Sequence, residues 1–207
     1  MLELVIFDAD GVLFDSTDSN TAYYNKIFDL IGEAAMSADE EKAGVFLSAP
    51  QVFELRARGD AARIARMRQV ARTLDSTPFF KMLRPHPNLR ELLMAIKRDY
   101  RLGLATNRSA TIPAIIDYLG LSGVFDAVAS ARDPVRPKPA PDMLHLCLER
   151  AGTTAQRAVY VGDSATDLEA ASAAGIHFIG LGPRAPHIHQ IERLEELSAK
   201  LESTFER

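Results

Sequence analysis

Short apolar runs alternate with amphipathic helical patterns along most of this chain. Such near-continuous runs are typical of strands buried on both faces of a parallel sheet. The predicted strands are Leu2 to Phe7, Tyr100 to Ala105, Phe125 to Ser130, Ala158 to Val161 and His177 to Leu181. The helical patterns are Asn88 to Lys97, Ala110 to Leu119, Pro141 to Ala151 and Asp167 to Ala174. This alternation predicts an α/β fold with a doubly wound, Rossmann-like parallel sheet.

The stretch from residue 16 to residue 83 interrupts the alternation, because it holds helical patterns and no convincing buried strand. The predicted helices there are Thr21 to Gly32 and Asp60 to Leu74, with Asp39 to Phe46 as a weaker candidate. We therefore expect a core of residues 1–15 and 84–207 and an inserted all-helical domain of residues 16–83.

Composition excludes several classes of protein. The 207 residues are 47% hydrophobic and 25% charged with a formal charge of −4, which argues against a nucleic-acid partner and against disorder. No 18-residue apolar run and no signal-peptide pattern is present, so we expect a cytoplasmic protein without a membrane partner. The single cysteine, Cys147, falls on an apolar helical face and is predicted to be a core thiol. Monomer and homodimer both remain open.

Two carboxylates, Asp8 and Asp10, directly follow the first predicted strand and precede Gly11. Ligands of open parallel sheets gather beyond the carboxyl ends of the strands, which is where this pair falls. Two acids at that position suit a cation, or a nucleophile beside a proton carrier. An ordinary turn after a strand explains the same residues equally well.

The next two strands are also followed by polar groups. Thr106-Asn107-Arg108-Ser109 supplies hydroxyl and amide donors for an anion at a helix start, although Ser109 as a simple helix cap is the alternative. Lys138 stands between Pro137 and Pro139, and this confinement favours a fixed point charge over a mobile surface lysine.

The fourth strand is followed by Asp163 and, four residues later, by Asp167. Asp163 could share a Mg²⁺ ion with Asp8, whereas Ser164 with Asp167 also reads as a capping box. Polar clusters at four strand ends meet at one edge of a sheet. Together they supply the groups needed for phosphoryl transfer with a divalent metal.

The same residues resemble, in order and context, the four motifs of the haloacid dehalogenase-like hydrolase superfamily. The motifs are Asp8-Ala9-Asp10-Gly11-Val12, Thr106-Asn107, Lys138-Pro139 and Gly162-Asp163-Ser164-x-x-Asp167. The resemblance implies that the helical insert is a cap of the first type, which closes over the active site. It places the chain near the phosphoglycolate phosphatase and β-phosphoglucomutase branch.

The resemblance also implies a role for each motif residue. Asp8 is the nucleophile that becomes an aspartyl-phosphate, and Asp10 is the acid and base, with its backbone carbonyl on Mg²⁺. Thr106 and the Asn107 N–H bind phosphoryl oxygens, and Lys138 offsets charge on Asp8 and on the phosphate. Asp163 binds Mg²⁺ beside Asp8, while Asp167 orients a metal-bound water or Lys138.

Within the superfamily, the acid at Asp10 indicates phosphate chemistry and not dehalogenation, because halide needs no proton to leave. The expected activity is hydrolysis of a small phosphorylated metabolite, since Thr106-Asn107-Arg108-Ser109 resembles the phosphatase branch more than the serine-rich mutase motif. A phosphosugar mutase and a catalytically silent phosphate-binding module are the alternatives. Arg56, Arg58 and Arg63 of the insert are candidates for contacting the leaving group, with solvent-exposed arginine as the simpler reading.

Overall fold

The structure is a computed structural model that describes residues 1–44, 47–108, 111–185 and 187–205. The chain divides into two compact units. Met1–Phe14 and Pro85–Arg207 form the first, which we call the core unit, and Asp15–Arg84 form the second, which we call the helical insert.

A parallel sheet of six described strands is the centre of the core unit. Its strands are β1 (Leu4–Phe7), β4 (Arg101–Thr106), β5 (Ala127–Ser130), β6 (Ala158–Gly162), β7 (His177–Leu181) and β8 (Gln190–Ile191). Their order across the sheet is β5-β4-β1-β6-β7-β8. Leu4 of β1 lies opposite Arg101 on one side and Ala158 on the other. Because β1 is central, all four of its residues are buried, which explains its continuous apolar run. The predicted parallel α/β fold is confirmed.

Helices cover this sheet and complete the core unit. They are α6 (Leu89–Ile96), α7 (Ile112–Tyr118), α8 (Asp142–Ala151), α9 (Ala165–Ala174) and α10 (Leu197–Phe205). Side chains of α8 and α9, including Leu144 and Ala170, pack with Ile6 and Tyr160 of the sheet in one buried cluster. Cys147 belongs to the same cluster and is buried, which confirms the predicted core thiol.

The helical insert has its own small core. Its helices are α1 (Thr17–Leu30), α2 (Ala38–Gly44), α3 (Ala49–Ala57), α4 (Ala61–Thr73) and α5 (Thr77–Phe80). Phe28, Phe53 and Met67 from α1, α3 and α4 meet in one buried cluster. The two-residue strands β2 (Phe14–Asp15) and β3 (Arg84–Pro85) form a separate two-stranded sheet.

Several predicted boundaries shift, and two helices of the insert, α3 and α5, were not predicted. The first helix of the insert begins at Thr17 instead of Thr21, and β1 begins at Leu4 instead of Leu2. Two positions of the weaker candidate helix, Val45 and Phe46, lie outside the described residues. Helix α3 starts with a capping box of Ser48 and Gln51, a local sequence signal that could have located it.

Across the part of the chain described, no helix combines the length and the apolar character needed to cross a membrane.

Candidate active site

Asp8 follows directly after β1, and its backbone N–H donates to the carbonyl of Val161 on β6 at 2.9 Å. The residue is only 7% exposed. Leu13 N–H then donates to the carbonyl of Ala9 at 2.9 Å, so the chain turns tightly after the strand. These two hydrogen bonds keep Asp8 at the carboxyl edge of the sheet, where an open α/β fold binds its ligands.

Gly11 allows the turn to approach the other acids of the site. Its φ of +78° lies in the left-handed region, and a Cβ there would lie 2.0 Å from Oδ2 of Asp163. A side chain at this position would therefore collide with a carboxylate as well as strain the backbone. The Asp-x-Asp-Gly sequence is thus a tight turn and a part of the acidic site at the same time.

The loop after β4 is fixed to the loop that carries Lys138. The side-chain amide of Asn107 donates to the Lys138 carbonyl at 3.1 Å, and its oxygen accepts from the Lys138 N–H at 2.9 Å. Thr106, the last residue of β4, is buried, and its hydroxyl oxygen accepts from the Arg108 N–H at 3.1 Å. Ser109, the alternative helix cap, lies outside the described residues.

Lys138 is buried, and its ammonium is surrounded by three acceptors. Its Nζ lies 2.8 Å from Oδ1 of Asp8, 2.7 Å from Oδ1 of Asp167 and 2.7 Å from the hydroxyl of Tyr160. Burial by itself would lower the pKa of Lys138, but the carboxylates of Asp167 and Asp8 hold it above its ordinary value. Lys138 is therefore a permanent cation beside Asp8.

Asp167 is fully occupied by hydrogen bonds. Its Oδ1 accepts from Lys138 and from the Tyr160 hydroxyl, and its Oδ2 accepts from the N–H and the hydroxyl of Ser164. Ser164 and Asp167 also form the capping box of α9. The pair therefore caps a helix and at the same time lies in the candidate site. Burial opposes ionisation, yet Lys138 keeps the pKa of Asp167 below its usual range. Both carboxylate oxygens of Asp167 are therefore engaged, and one of them contacts the ammonium of Lys138.

Gly162 makes this close packing possible. A Cβ at Gly162 would lie 2.4 Å from the Cβ of Asp167, well inside van der Waals contact. The end of β6 and the first turn of α9 approach each other closely only because residue 162 has no side chain.

Asp163 follows β6 and pairs with the guanidinium of Arg184, which lies in the loop after β7. Burial raises the pKa of Asp163 to about 6, and the charge of Arg184 opposes this rise. Among the described residues, carboxylate oxygens of Asp8, Asp163 and Asp167 lie within 4.8 Å of one another. Hard oxygen donors this close to one another fit a divalent cation. Since Asp167 is saturated, Asp8 and Asp163 are the carboxylates suited to direct ligation.

Asp10 is held by Arg108. The Arg108 Nε lies 2.7 Å and 3.0 Å from the two carboxylate oxygens of Asp10, and Nη2 lies 2.7 Å from Oδ1. The guanidinium also lies 5.5 Å from the ring centroid of Phe14. A planar fork on a carboxylate fixes both position and orientation of the acid.

The structure brings most of the predicted site residues to one edge of the sheet. These are Asp8, Asp10, Thr106, Asn107, Lys138, Asp163 and Asp167, all in the core unit. Their chemical roles stay predictions. Arg184 and the hydroxyl of Tyr160 were not predicted from the sequence. Arg108 belongs to the pattern that follows β4, but no role was predicted for it. The only signal for Tyr160 was a phenol inside the otherwise aliphatic strand β6.

Arg56, Arg58 and Arg63 lie in the helical insert, and two of them are engaged there. Arg56 pairs with Glu33 at 3.0 Å and with Glu40 at 2.8 Å, and Arg63 pairs with Glu33 at 2.7 Å. Arg58 is exposed and ends α3 in the left-handed conformation. Contact of these arginines with a leaving group stays a prediction.

Comparison with known proteins identifies the family. Residues 5–181 match the family model described as haloacid dehalogenase-like hydrolase. This match covers far more than half of the 207 residues. The chain therefore belongs to the haloacid dehalogenase-like hydrolase family and is an enzyme of that family.

Curated relatives are named as phosphatases. The chain is 28% identical over 192 residues to the phosphoglycolate phosphatase of Colwellia psychrerythraea, covering 86% of this chain and 84% of that protein. It is 25% identical over 179 residues to pyrophosphatase PpaX of Bacillus velezensis, covering 86% and 82%. A subfamily IA hydrolase of the same superfamily from Geobacter sulfurreducens is 27% identical with a TM-score of 0.78, covering 97% of this chain and 96% of that one.

Proposed function

We propose that this protein is a Mg²⁺-dependent phosphomonoester hydrolase that acts on a small phosphorylated metabolite through an aspartyl-phosphate on Asp8. The observation that carries the proposal is the Asp8 carboxylate, buried at the carboxyl edge of the sheet and 2.8 Å from the ammonium of Lys138. A carboxylate can attack a phosphate dianion only where cations offset their repulsion. The phosphatase names of the relatives favour hydrolysis.

In the first step, an oxygen of Asp8 forms a bond to phosphorus while the bond from phosphorus to the ester oxygen breaks. Thr106 and the Asn107 N–H hold phosphoryl oxygens, and Lys138 offsets the charge that accumulates between nucleophile and phosphate. Asp10 gives its proton to the departing oxygen. The products of this step are the free alcohol, or the free phosphate if the substrate is a pyrophosphate, and the phosphorylated Asp8.

In the second step, Asp10 takes a proton from a water molecule whose oxygen attacks the same phosphorus. The bond between phosphorus and Asp8 breaks, which releases inorganic phosphate and restores the carboxylate. Asp10 accepts hydrogen bonds from Arg108 on both of its oxygens. Arg108 would in this way orient the carboxyl group that carries the proton.

Asp8 and Asp163, with the backbone carbonyl of Asp10, would hold the Mg²⁺ ion. Bound there, the ion would supply a second positive charge to the transferring phosphoryl group. Burial raises the pKa of Asp8 well above its ordinary value, and Lys138 only partly opposes that effect. A site that must keep Asp8 ionised therefore benefits from a further cation.

The proposal is tested by measuring phosphate release from a panel of phosphomonoesters, with phosphoglycolate and pyrophosphate included. Asp8→Asn is expected to lower turnover by at least about 10³-fold, because an amide cannot act as the nucleophile. EDTA is expected to abolish the wild-type activity, and added Mg²⁺ to restore it. Asp117→Asn makes the same change at an exposed carboxylate of the core unit and is expected to retain activity.

Phosphate release that survives Asp8→Asn, or that needs no divalent ion, would contradict the mechanism. Conversion of a sugar 1-phosphate into its 6-phosphate without net release of phosphate would show a mutase instead.

A further inference from the structure

Tyr160 contributes a hydroxyl to the interior of the core unit that the proposed mechanism does not use. The residue lies in the middle of β6 and is fully buried, with its ring centroid 6.2 Å from that of Phe178. Its hydroxyl lies 2.7 Å from Nζ of Lys138, 2.8 Å from Oδ1 of Asp167 and 3.2 Å from the carbonyl of Ala105. Any buried tyrosine hydroxyl needs a hydrogen-bond partner, but here two of the partners are the charged side chains of Lys138 and Asp167.

The hydrogen-bond inventory assigns a direction to each contact. An ammonium has three N–H donors and no acceptor, so Lys138 donates to Asp8, Asp167 and Tyr160. The phenol accepts from Lys138 and donates its single proton to Oδ1 of Asp167, the nearer of its two acceptors. Burial and the carboxylates of Asp167 and Asp8 raise the pKa of Tyr160 well above its ordinary value. The hydroxyl therefore keeps its proton.

The three acceptors of Lys138 differ in what the reaction does to them. Asp8 loses its negative charge when its oxygen becomes esterified to phosphorus, so its contact with Lys138 weakens during each cycle. Asp167 and Tyr160 take no part in bond formation. They form the part of the ammonium's surroundings that stays constant.

We propose that Tyr160 is a positioning residue whose hydroxyl, together with Asp167, holds the ammonium of Lys138 beside Asp8 throughout the reaction. The inference rests on the proposed function, because it assigns Tyr160 a role in supporting the lysine that the proposed reaction uses. Preorganised charge is effective only where its position is fixed in advance. A displacement of the lysine by about 1 Å costs rate without removing the charge itself.

The test compares the wild type with Tyr160→Phe, which keeps the ring and removes only the hydroxyl. We expect kcat for a phosphomonoester to fall about tenfold, the factor typical of losing one hydrogen bond to a charged group, while KM changes less than about twofold. Tyr118→Phe is the matched control, because Tyr118 is an exposed tyrosine of the same unit. Its kcat should equal that of the wild type. Circular dichroism checks that both variants are folded.

A second readout uses no substrate and no metal. In ¹⁵N-lysine NMR spectra, an ammonium held by three acceptors exchanges its protons with water slowly and gives a visible signal. The Lys138 signal, assigned by its loss in Lys138→Met, should exchange at least about threefold faster in Tyr160→Phe. If the Phe variant does not fold, the tyrosines are replaced with 3-fluorotyrosine instead. This replacement keeps the ring but weakens the hydroxyl as an acceptor, so the Lys138 ammonium should again exchange its protons faster.

The outcomes separate this proposal from the proposed function. A Tyr160→Phe enzyme with kcat within twofold of the wild type would overturn the role of Tyr160 while hydrolysis stands. A lowered kcat with an unchanged Lys138 signal would overturn it too, because the loss would then come from general packing. A wild type that releases no phosphate from any ester would instead contradict the proposed function, whatever the NMR comparison shows.

Discussion

Asn107 and Lys138 exchange two hydrogen bonds, although 31 residues separate them in the chain. The Asn107 side chain donates to the Lys138 carbonyl at 3.1 Å and accepts from the Lys138 N–H at 2.9 Å. The amide thus satisfies the backbone of a residue whose flanking prolines cannot donate. The contact joins the loop after β4, which is predicted to bind phosphate, to the loop that carries Lys138.

Removal of this amide should disturb both the fold and the reaction. We expect Asn107→Ala to lower the free energy of unfolding by about 1–3 kcal/mol, because a partly buried N–H and a partly buried carbonyl lose their partners. Urea denaturation measures the change, and kcat of the folded variant should fall as well, since Lys138 is less firmly placed. Asn107→Asp keeps the acceptor for the Lys138 N–H but sets a carboxylate oxygen against the Lys138 carbonyl, so it should lose stability as well. Full stability in Asn107→Ala would show that the two bonds contribute nothing.

Topology explains why the sequence could predict which residues lie together at the candidate site. In a parallel sheet, the residues that follow each strand meet at one edge, so Asp8, Thr106 and Asp163 could be brought together from strand assignments alone. The partners of these residues could not be found in this way. Arg184 comes from the loop after β7, and Tyr160 reads as part of an apolar strand. Their contacts depend on side-chain directions in the folded core and not on any local pattern.

The helices of the insert could also be predicted only in part from the sequence. Hydrophobic periodicity predicted α1 and α4, whose apolar faces are evident in the sequence. Helix α3 was missed because the apolar residues of its sequence, APQVFELRA, do not form a clear stripe. The capping box of Ser48 and Gln51 and a proline in the first turn mark its start.

Arg184 is expected to compete with a divalent cation for Asp163. Its guanidinium pairs with this carboxylate, and the Asp163 side chain is only 10% exposed. Because the guanidinium charge repels a cation that approaches Asp163, Arg184→Gln should bind Mg²⁺ roughly five- to tenfold more tightly. Isothermal titration of the protein with Mg²⁺ alone measures this affinity. The metal-free variant should also be less stable than the wild type, since a buried carboxylate loses its partner.

Arg193→Gln provides the control for Arg184. The side chain of Arg193, in the same unit, is 73% exposed and forms an ion pair with Glu196, three residues further along the chain. Its Mg²⁺ affinity should match that of the wild type. Equal affinities in all three proteins would mean that the Arg184 pair does not obstruct the cation site.

Arg56 is expected to stabilise the helical insert. It pairs with Glu33 and Glu40, donates to the carbonyl of Ala34 and lies 4.5 Å from the ring centroid of Phe28. Arg56→Ala would leave partly buried acids without their partner, so we expect a loss of about 2–4 kcal/mol in the free energy of unfolding. Denaturant titration followed by circular dichroism measures it. A raised KM without any loss of stability would favour the predicted contact with the leaving group instead.

Arg58, two residues along, should behave in the opposite way. Its φ of +51° places an L side chain in the left-handed region at the end of α3. Arg58→Gly relieves that conformation, and we expect a gain of about 0.5–1 kcal/mol, measured in the same titration. Destabilisation by this change would indicate that the arginine side chain makes contacts that outweigh the backbone strain.

Cys147 should be unreactive in the native protein. Burial raises the pKa of its thiol to about 12, and its Sγ lies 3.3 Å from the carbonyl of Leu104. At pH 8 the native thiolate is therefore scarce, and Ellman's reagent should titrate Cys147 only after denaturation. The raised pKa means that the native state binds more protons than the unfolded state between pH 9 and pH 12, so the thiol contributes a loss of stability as pH rises through this range. Cys147→Ala lacks this titration, and its stability should fall less steeply over the same interval. Rapid reaction of the native protein at pH 8 would contradict the buried position of the thiol.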